Sequence, residues 1–258
     1  MLNNAIKTDL SRALVSWRFL LSIILMFLVW ELNSKRFQIQ EDVIYLFVHV
    51  WGRSITPLLA VVITSFSYAS SYSEDIENNF LRYCIIRISI KKYVLSKIFI
   101  CFIVAFLVVF VGTILFVFHQ CFILPIVANN SVTISDFGPM TCFQNLLVNH
   151  TLIYMIVQTF FYGLFCGAMS VLALAFSTFI RNSYGVFVIP FLLHYCFFYI
   201  FTQLSMQHPM FDIEQIYNCI STYTDNIIFF IAYAIFITVM LVFIGYAIMY
   251  KKVQGEYK

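Results

Sequence analysis

The sequence predicts an all-α integral membrane protein in which residues 1–258 form a single transmembrane domain with six membrane-spanning helices. Only 10% of its residues are charged and 62% are hydrophobic, whereas a soluble domain carries about 25% charged residues. So many apolar side chains cannot all be interior in a chain of 258 residues. Lipid must therefore cover part of the surface.

Six apolar stretches have the length that a transmembrane helix needs. Each is near or above the ~20 residues that cross ~30 Å of hydrocarbon. A helix also satisfies its own backbone hydrogen bonds, as lipid requires. The predicted spans are 17–33, 54–72, 93–118, 152–180, 184–204 and 227–250.

The distribution of basic residues orients these spans. If the N-terminus is cytoplasmic, twelve of the fifteen Lys and Arg residues fall in cytoplasmic segments. The two long loops on the other side, 119–151 and 205–226, contain no Lys or Arg. Cytoplasmic loops carry an excess of basic residues. Both termini and residues 73–92 are therefore predicted to be cytoplasmic, and the two long loops extracytoplasmic.

The first sixteen residues have the pattern of an amphipathic helix. Apolar residues recur at helical spacing, and charged residues such as Lys7 and Arg12 fall on the other side. Trp17 and Arg18 follow, and both side chains suit the headgroup level. Residues 1–16 are predicted to be an interfacial helix on the inner membrane surface; a frayed tail is the alternative.

Residues 73–92 concentrate charge in a chain that otherwise avoids it. Ser71 and Glu74 have the spacing of a helix-capping box, and Asp75 and Glu77 add negative charge where a helix dipole favours it. Phe80 and other apolar residues then share one face. The pattern predicts a short cytoplasmic helix that is acidic at its start and basic at its end.

Two partners of this segment are consistent with its charges. Lipid headgroups would attract the basic half, which includes Arg87, Lys91 and Lys92. Phospholipid would repel the acidic start, which a basic groove on a cytoplasmic protein would bind. We therefore expect a protein partner at this helix.

A few residues inside the predicted spans also stand out. Gly163 and Gly167 form a G-x-x-x-G pattern that Ser170 continues, which favours close helix approach within the monomer or between subunits. Arg53 is interpreted as snorkelling, or as paired with an acid near the outer face, rather than as a substrate site. His194 is interpreted as hydrogen-bonded to a neighbouring helix rather than as a proton carrier.

Signatures of catalysis and of metal binding are absent from the sequence. It contains no GxxxxGK[ST], HExxH, GxSxG or GxGxxG motif, so no catalytic residue and no cofactor of its own is predicted. Its seven cysteines include no CxxC pair, so no metal site is expected. Cys121 and Cys142 share one outer loop and could pair; free thiols are the alternative. No nucleic-acid partner is expected.

A membrane domain with a charged docking helix and no energy source indicates a transport subunit that a separate ATPase drives. One alternative is a membrane scaffold or sensor that recruits a cytoplasmic partner. The other is a secondary transporter, which would carry acidic residues at membrane depth and internal repeats. Neither feature occurs in the sequence.

The chain resembles the membrane permeases of the type-2 ABC exporter family, especially the small bacterial ones that export peptides or confer immunity to them. The resemblance covers the six-span layout with both ends inside and the N-terminal amphipathic helix. Its most specific part is SFSYASSYSEDIENNFLRYCIIRISIKKYVLSKI, with an R-x-S-x-x-x-Y-x-x-x-K sequence formed by Arg87, Ser89, Tyr93 and Lys97.

This resemblance implies that residues 74–87 are the coupling helix, which sits in a cleft of a nucleotide-binding subunit. The family pattern often has Gly-Thr after the glutamate, where this chain has Asn78 and Asn79. ATP and Mg would be bound by the partner ATPase. A second permease subunit, identical or paralogous, would complete the transporter in a bacterial cytoplasmic membrane. The implied coupling residues are Glu74, Asp75, Glu77, Phe80, Tyr83 and Arg87.

The many Phe, Tyr and Met residues along the spans suit a hydrophobic or amphipathic substrate such as a peptide.

The predicted topology can be tested by cysteine labelling of intact cells. Asn78→Cys should not react with a membrane-impermeant maleimide added outside, because the basic residues hold residues 73–92 in the cytoplasm. Ser135→Cys in the first long loop should react. Labelling at position 78 by the outside reagent, measured against the parent chain with its native cysteines, would overturn the orientation.

Overall fold

The structure is an all-helical, multi-pass membrane protein. The computed structural model describes residues 9–37, 42–78, 80–81, 83, 88–128, 131–180, 188–206, 208–221 and 224–256. Within these ranges there are α-helices and short 3₁₀ turns, and no strand.

The helices are numbered in chain order. They are α1 at 9–14, α2 Trp17–Ser34, α3 Val43–Gly52, α4 Thr56–Tyr68, α5 Ser71–Glu77, α6 Ile90–Cys121, α7 Val132–Phe137, α8 Gln144–Asn149, α9 Thr151–Ser177, α10 Val188–Ser205, α11 Ile213–Tyr217 and α12 Ile227–Glu256.

Five helices in the described ranges, α2, α6, α9, α10 and α12, are long and apolar enough to cross a membrane. A further pair of helices, in which α3 meets Thr56–Glu77 at 77°, is apolar and long enough to form either a broken sixth span or a re-entrant loop. The central helix is α9, with 89% of its span residues buried, whereas only 11% are buried in α10 and 22% in α12. Apolar side chains on α10 and α12 are thus left exposed.

Helix α3 fills the region between the first two predicted spans, and the sequence patterns did not predict it. The Asp42 carboxylate accepts a hydrogen bond from the Tyr45 amide at 2.8 Å and one from the Ala128 amide at 3.1 Å. The Val43 amide donates to the Pro125 carbonyl at 3.1 Å. These bonds fix the start of α3 against the chain that follows α6.

A stack of aromatic rings holds α3 inside the bundle. The Trp30 ring lies 5.6 Å from Phe47 and 4.9 Å from Phe116, between ring centroids. The Trp51 ring stacks on Tyr162 at 3.7 Å. Because ring pairs add about 0.5–1.5 kcal/mol each beyond their burial, this stack joins α2, α3, α6 and α9 into one core.

The small residues of α9 form its contact with α6 inside the monomer. A Cβ atom added at Gly163 would lie 2.6 Å from the Phe106 ring, and one added at Gly167 would lie 2.9 Å from the Phe102 ring. Ser170 is fully buried, and its Oγ lies 3.3 Å from Cys101 Sγ. Of the two alternatives for this face, the structure thus supports intramolecular packing.

The two long loops pack against each other and onto the helices. In 119–151 the chain continues to the end of α6 and then forms α7, a 3₁₀ turn and α8. In 205–226, α11 buries Ile216 and Tyr217 in the core, where the Tyr217 hydroxyl lies 2.8 Å from Thr238 Oγ1. The Ser221 amide donates to the Met140 carbonyl at 2.8 Å and so joins the loops.

The structure has Cys121 and Cys142 as free thiols rather than as a disulfide. Burial raises the pKa of the Cys142 thiol, although a hydrogen bond with Ser221 lowers it. A raised pKa keeps the thiol protonated, and the protonated form is the unreactive one.

Arg53 and His194 differ in part from their sequence interpretation. Arg53 is exposed at the bend between α3 and α4 and has no ion-pair partner among the described residues. This fits a snorkelling side chain rather than a paired one. The expected hydrogen bond of His194 is wrong for one nitrogen: its Nδ1 is buried without a partner in the described chain, because aromatic side chains such as Phe165 surround it.

Replacing both glycines of this seam should loosen the α6–α9 contact. Alanine stabilises a helix by about 1 kcal/mol over glycine, but in Gly163→Ala with Gly167→Ala the added methyls meet the rings of Phe106 and Phe102. Overpacking of this kind costs about 1–3 kcal/mol. We therefore expect a thermal midpoint lowered by a few degrees in detergent.

The matched control is Gly255→Ala, where nothing lies within 4 Å of the added Cβ. Its midpoint should stay unchanged or rise. Equal midpoints for the seam variant and this control would show that the contact is not tight.

Candidate functional site at the basic end of the bundle

The candidate site lies where α1, α5 and the first turns of α2 and α6 meet. We call this region the basic end, and it includes Arg12, Arg18 and Lys97. A second apolar core lies behind it, with Ala13, Tyr68, Tyr72, Tyr93 and Val253 among its buried members. The chain's charged segment is thus seated on a packed region rather than held in solvent.

A buried ion pair joins α5 to α6 at this end. Lys97 Nζ lies 2.7 Å from Asp75 Oδ2, and both side chains are at most 2% exposed. The Tyr93 hydroxyl donates to the same Asp75 oxygen at 2.8 Å. Lys97 also donates to the Tyr68 hydroxyl at 3.4 Å and lies over the rings of Tyr68 and Tyr93 at 5.4 and 5.7 Å.

The helical repeat explains why Tyr93 and Lys97 can share one carboxylate. Residues four apart on a helix are neighbours on one face, and both positions lie in the first turns of α6. The tyrosine and lysine of the Y-x-x-x-K pattern therefore lie on one face of α6, and both bind the Asp75 carboxylate. Ser89 is the cap residue before this helix, although its side chain makes no cap hydrogen bond.

A second ion pair joins α5 to α2. Arg18 Nη1 pairs with Glu74 Oε1 and also donates to Ser70 Oγ at 2.9 Å. Ser70 Oγ in turn donates to Glu74 Oε1 at 2.8 Å. These bonds fix the Glu74 carboxylate toward the membrane bundle.

The capping box expected from Ser71 and Glu74 is wrong. The chain passes from α4 to α5 through a two-residue turn, so α5 does not start as an isolated helix. The Glu74 amide donates to the Ser70 carbonyl at 3.0 Å. The cap position of α5 is Ser70 rather than Ser71, and its hydroxyl donates to the Glu74 carboxylate instead of capping the helix.

Helix α1 also contacts the charged segment and the start of α6. Arg12 Nη1 lies 3.6 Å from Asp75 Oδ1, and its guanidinium sits 5.7 Å from the centre of the Phe80 ring. The Ser96 hydroxyl donates to Asp9 at 3.3 Å. The described part of the predicted interfacial helix therefore packs on α5 and α6, whereas residues 1–8 lie outside the described residues.

The predicted contact residues fall into two groups. Asp75 is 1% exposed and pairs with Lys97 through Oδ2, so its burial contradicts its assignment as a direct partner contact. Glu74 is partly buried by Arg18. Glu77 is exposed, as are the side chains of Phe80 (45%) and Tyr83 (67%). Arg87 lies outside the described residues.

The site combines buried ion pairs with exposed aromatic side chains. Among the described residues, no group of three or more His, Cys, Asp or Glu side chains is placed to hold a metal ion. Comparisons of the chain with protein-family models, with curated proteins and with solved structures find no match. The function therefore has to be argued from this geometry.

Breaking the buried ion pair should destabilise the protein more than removing a surface charge. Lys97→Met leaves the Asp75 carboxylate buried without its cation, and such losses cost about 3–5 kcal/mol. Adding Asp75→Asn removes the uncompensated charge and should recover part of the loss. Thermal unfolding and protease cleavage within 78–92 would measure both effects.

The control is Lys91→Gln, which removes an exposed charge near the start of α6. It should unfold like the parent chain. The ion pair does not anchor α5 if Lys97→Met behaves like this control. The same follows if adding Asp75→Asn recovers none of the stability that Lys97→Met loses.

Proposed function

We propose that the chain is the membrane-spanning permease subunit of an ATP-driven ABC exporter. In this role it binds a separate cytoplasmic ATPase through the segment after α5. It pairs with a second permease subunit in a bacterial cytoplasmic membrane. Its cargo is hydrophobic or amphipathic, such as a peptide. The chain itself hydrolyses no ATP.

One observation carries the proposal: the exposed side chains of Phe80 and Tyr83, which we call the docking tip, follow directly after α5. We call α5 the base, because two ion pairs hold it against the spans. Phe80 and Tyr83 are exposed to solvent, and Glu77 adds a negative charge beside them. Aromatic anchors of this kind dominate interface energies, and the charge guides association and register. A partner with an apolar pocket and a basic rim fits this tip.

The base supports coupling because it is tied to two spans. Asp75 binds Lys97 in α6, and Glu74 binds Arg18 in α2. A displacement of the tip would therefore move α2 and α6 together rather than bend a free loop. This transmission is what an ATPase-driven permease requires and what a simple recruitment site does not.

The two other function classes receive less support. A scaffold needs an exposed tip but gives no reason for a carboxylate buried beneath it. A secondary transporter needs acidic residues at membrane depth. In the described spans α6, α9, α10 and α12 the only Asp or Glu is Glu256 at the end of α12. Glu31 lies near the end of α2, and Asp75 of the bent helix pair is already paired with Lys97. The acids between these helices belong to the loops.

The docking tip can be tested by affinity purification of the tagged chain from its native membrane. Tyr83→Ala and Phe80→Ala should reduce the co-purified ATP-binding protein about tenfold or more, because each removes an anchor worth ~2 kcal/mol. ATP hydrolysis should fall in parallel. The membrane yield and thermal midpoint should stay unchanged, which separates docking from folding.

The matched control is Phe122→Ala, an aromatic that is 75% exposed just after the opposite end of α6. It should co-purify normally. Recovery of no ATP-binding protein with the parent chain would instead favour the scaffold, and ATP hydrolysis by the isolated chain would contradict the proposal.

A further inference from the structure

A cavity of about 210 Å³ opens beside α5 at the basic end. It lies between α1, the start of α2 and the junction of α4 with α5. The volume far exceeds the ~10–15 Å³ that one water molecule needs. Its lining includes Arg12, Trp17, Arg18, Ser71, Glu74 and Lys97.

The lining has the chemistry of an anion site. Three of its residues are cations and only Glu74 is an acid. Asp75 is not part of the lining: Lys97 holds its Oδ2, and its Oδ1 lies 3.6 Å from Arg12. Glu74 is held by Arg18. Asp9, the remaining acid nearby, accepts a hydrogen bond from Ser96. The acids are thus engaged before any ligand enters.

Two lining groups have capacity for a ligand. Arg12 is 54% exposed and lies 3.6 Å from Asp75, a looser contact than the 2.7 Å of Lys97. Ser71 is 7% exposed, and its Oγ is buried without a hydrogen-bond partner among the described residues. An unpaired buried hydroxyl in a cationic cavity is accounted for by an acceptor oxygen that enters the cavity.

The surroundings of the cavity match a membrane surface. Trp17 lines it and is 65% exposed, and Trp rings favour the headgroup level of a bilayer. Leu20, Ile24 and Leu28 continue along α2 at helical spacing and are all exposed. An acyl chain could lie along this apolar face while its headgroup occupies the cavity.

We propose that this cavity binds a phosphate group through Arg12 and Ser71. The group belongs to an anionic phospholipid headgroup or to a soluble phosphate compound, and both sources present the same oxygens to the same residues. Phosphate oxygens accept charge-assisted hydrogen bonds from a guanidinium. The proposal does not depend on whether the chain docks an ATPase.

Binding of phosphatidylglycerol to the purified full chain in detergent, followed by native mass spectrometry, tests the site. Arg12→Gln should weaken binding about tenfold, because it removes a charge-assisted hydrogen bond to the phosphate. Ser71→Ala should weaken it about threefold and leaves every ion pair in place. Lys251→Gln, an exposed charge at the end of α12, should bind like the parent chain.

Two further ligands identify the source of the phosphate. Phosphatidylcholine should bind more weakly than phosphatidylglycerol if net headgroup charge matters. Inorganic phosphate that binds the chain, with the same loss in Arg12→Gln and Ser71→Ala, would assign the site to a soluble compound. Absence of binding by all three ligands would overturn the proposal. So would equal binding by the Arg12→Gln, Ser71→Ala and Lys251→Gln variants.

Discussion

The buried contact between Asp75 and Lys97 is the interaction on which the basic end depends. Removing two charges from water costs several kcal/mol for each ion, and their mutual attraction offsets this only when further hydrogen bonds satisfy both groups. Here the Tyr93 hydroxyl donates to Asp75 Oδ2 and the Tyr68 hydroxyl accepts from the ammonium. Asp75 Oδ1 has no hydrogen bond in the described chain and lies 3.6 Å from Arg12. Because either ion alone would be strongly unfavourable in this place, α5 cannot leave α6 without exposing both. The pair therefore fixes the position of the segment that follows α5 more than it adds to stability.

Most of the fold could be predicted from the sequence because the lipid bilayer restricts which structures can span it. Apolar stretches as long as a bilayer is thick have no other stable structure, and each predicted span overlaps an observed helix or, for 54–72, helices α4 and α5. Helix α3 could not be found in this way. Its ten residues are too few to cross a membrane, and charged residues such as Lys35 and Arg36 precede it. What makes it a buried helix is the aromatic surface of α2, α6 and α9, which only the folded chain presents.

The sequence singles out the same segment that lies at the basic end in the structure, but it does not show the surroundings of each acid there. The three acids of 74–77 look alike in sequence, since a helical pattern states which residues share a face and not what lies opposite. In the structure Asp75 is buried, Glu74 is partly buried and paired with Arg18, and Glu77 is exposed. The signal that could have separated them is Lys97, which lies inside the third predicted span. A lysine at that depth requires a counter-ion.

The phosphate cavity and the docking tip share the same supporting residues, and this has a mechanical consequence. Arg12 contacts both Asp75 and the Phe80 ring, so a phosphate that draws the guanidinium into the cavity competes with its contact to the tip. Ligand binding can shift an equilibrium only through such a difference in contacts between two states. The tip would then respond to the membrane beside it as well as to a protein below it. By reciprocity, a partner that holds Phe80 away from Arg12 would release the guanidinium for phosphate, so docking and phosphate binding would strengthen each other.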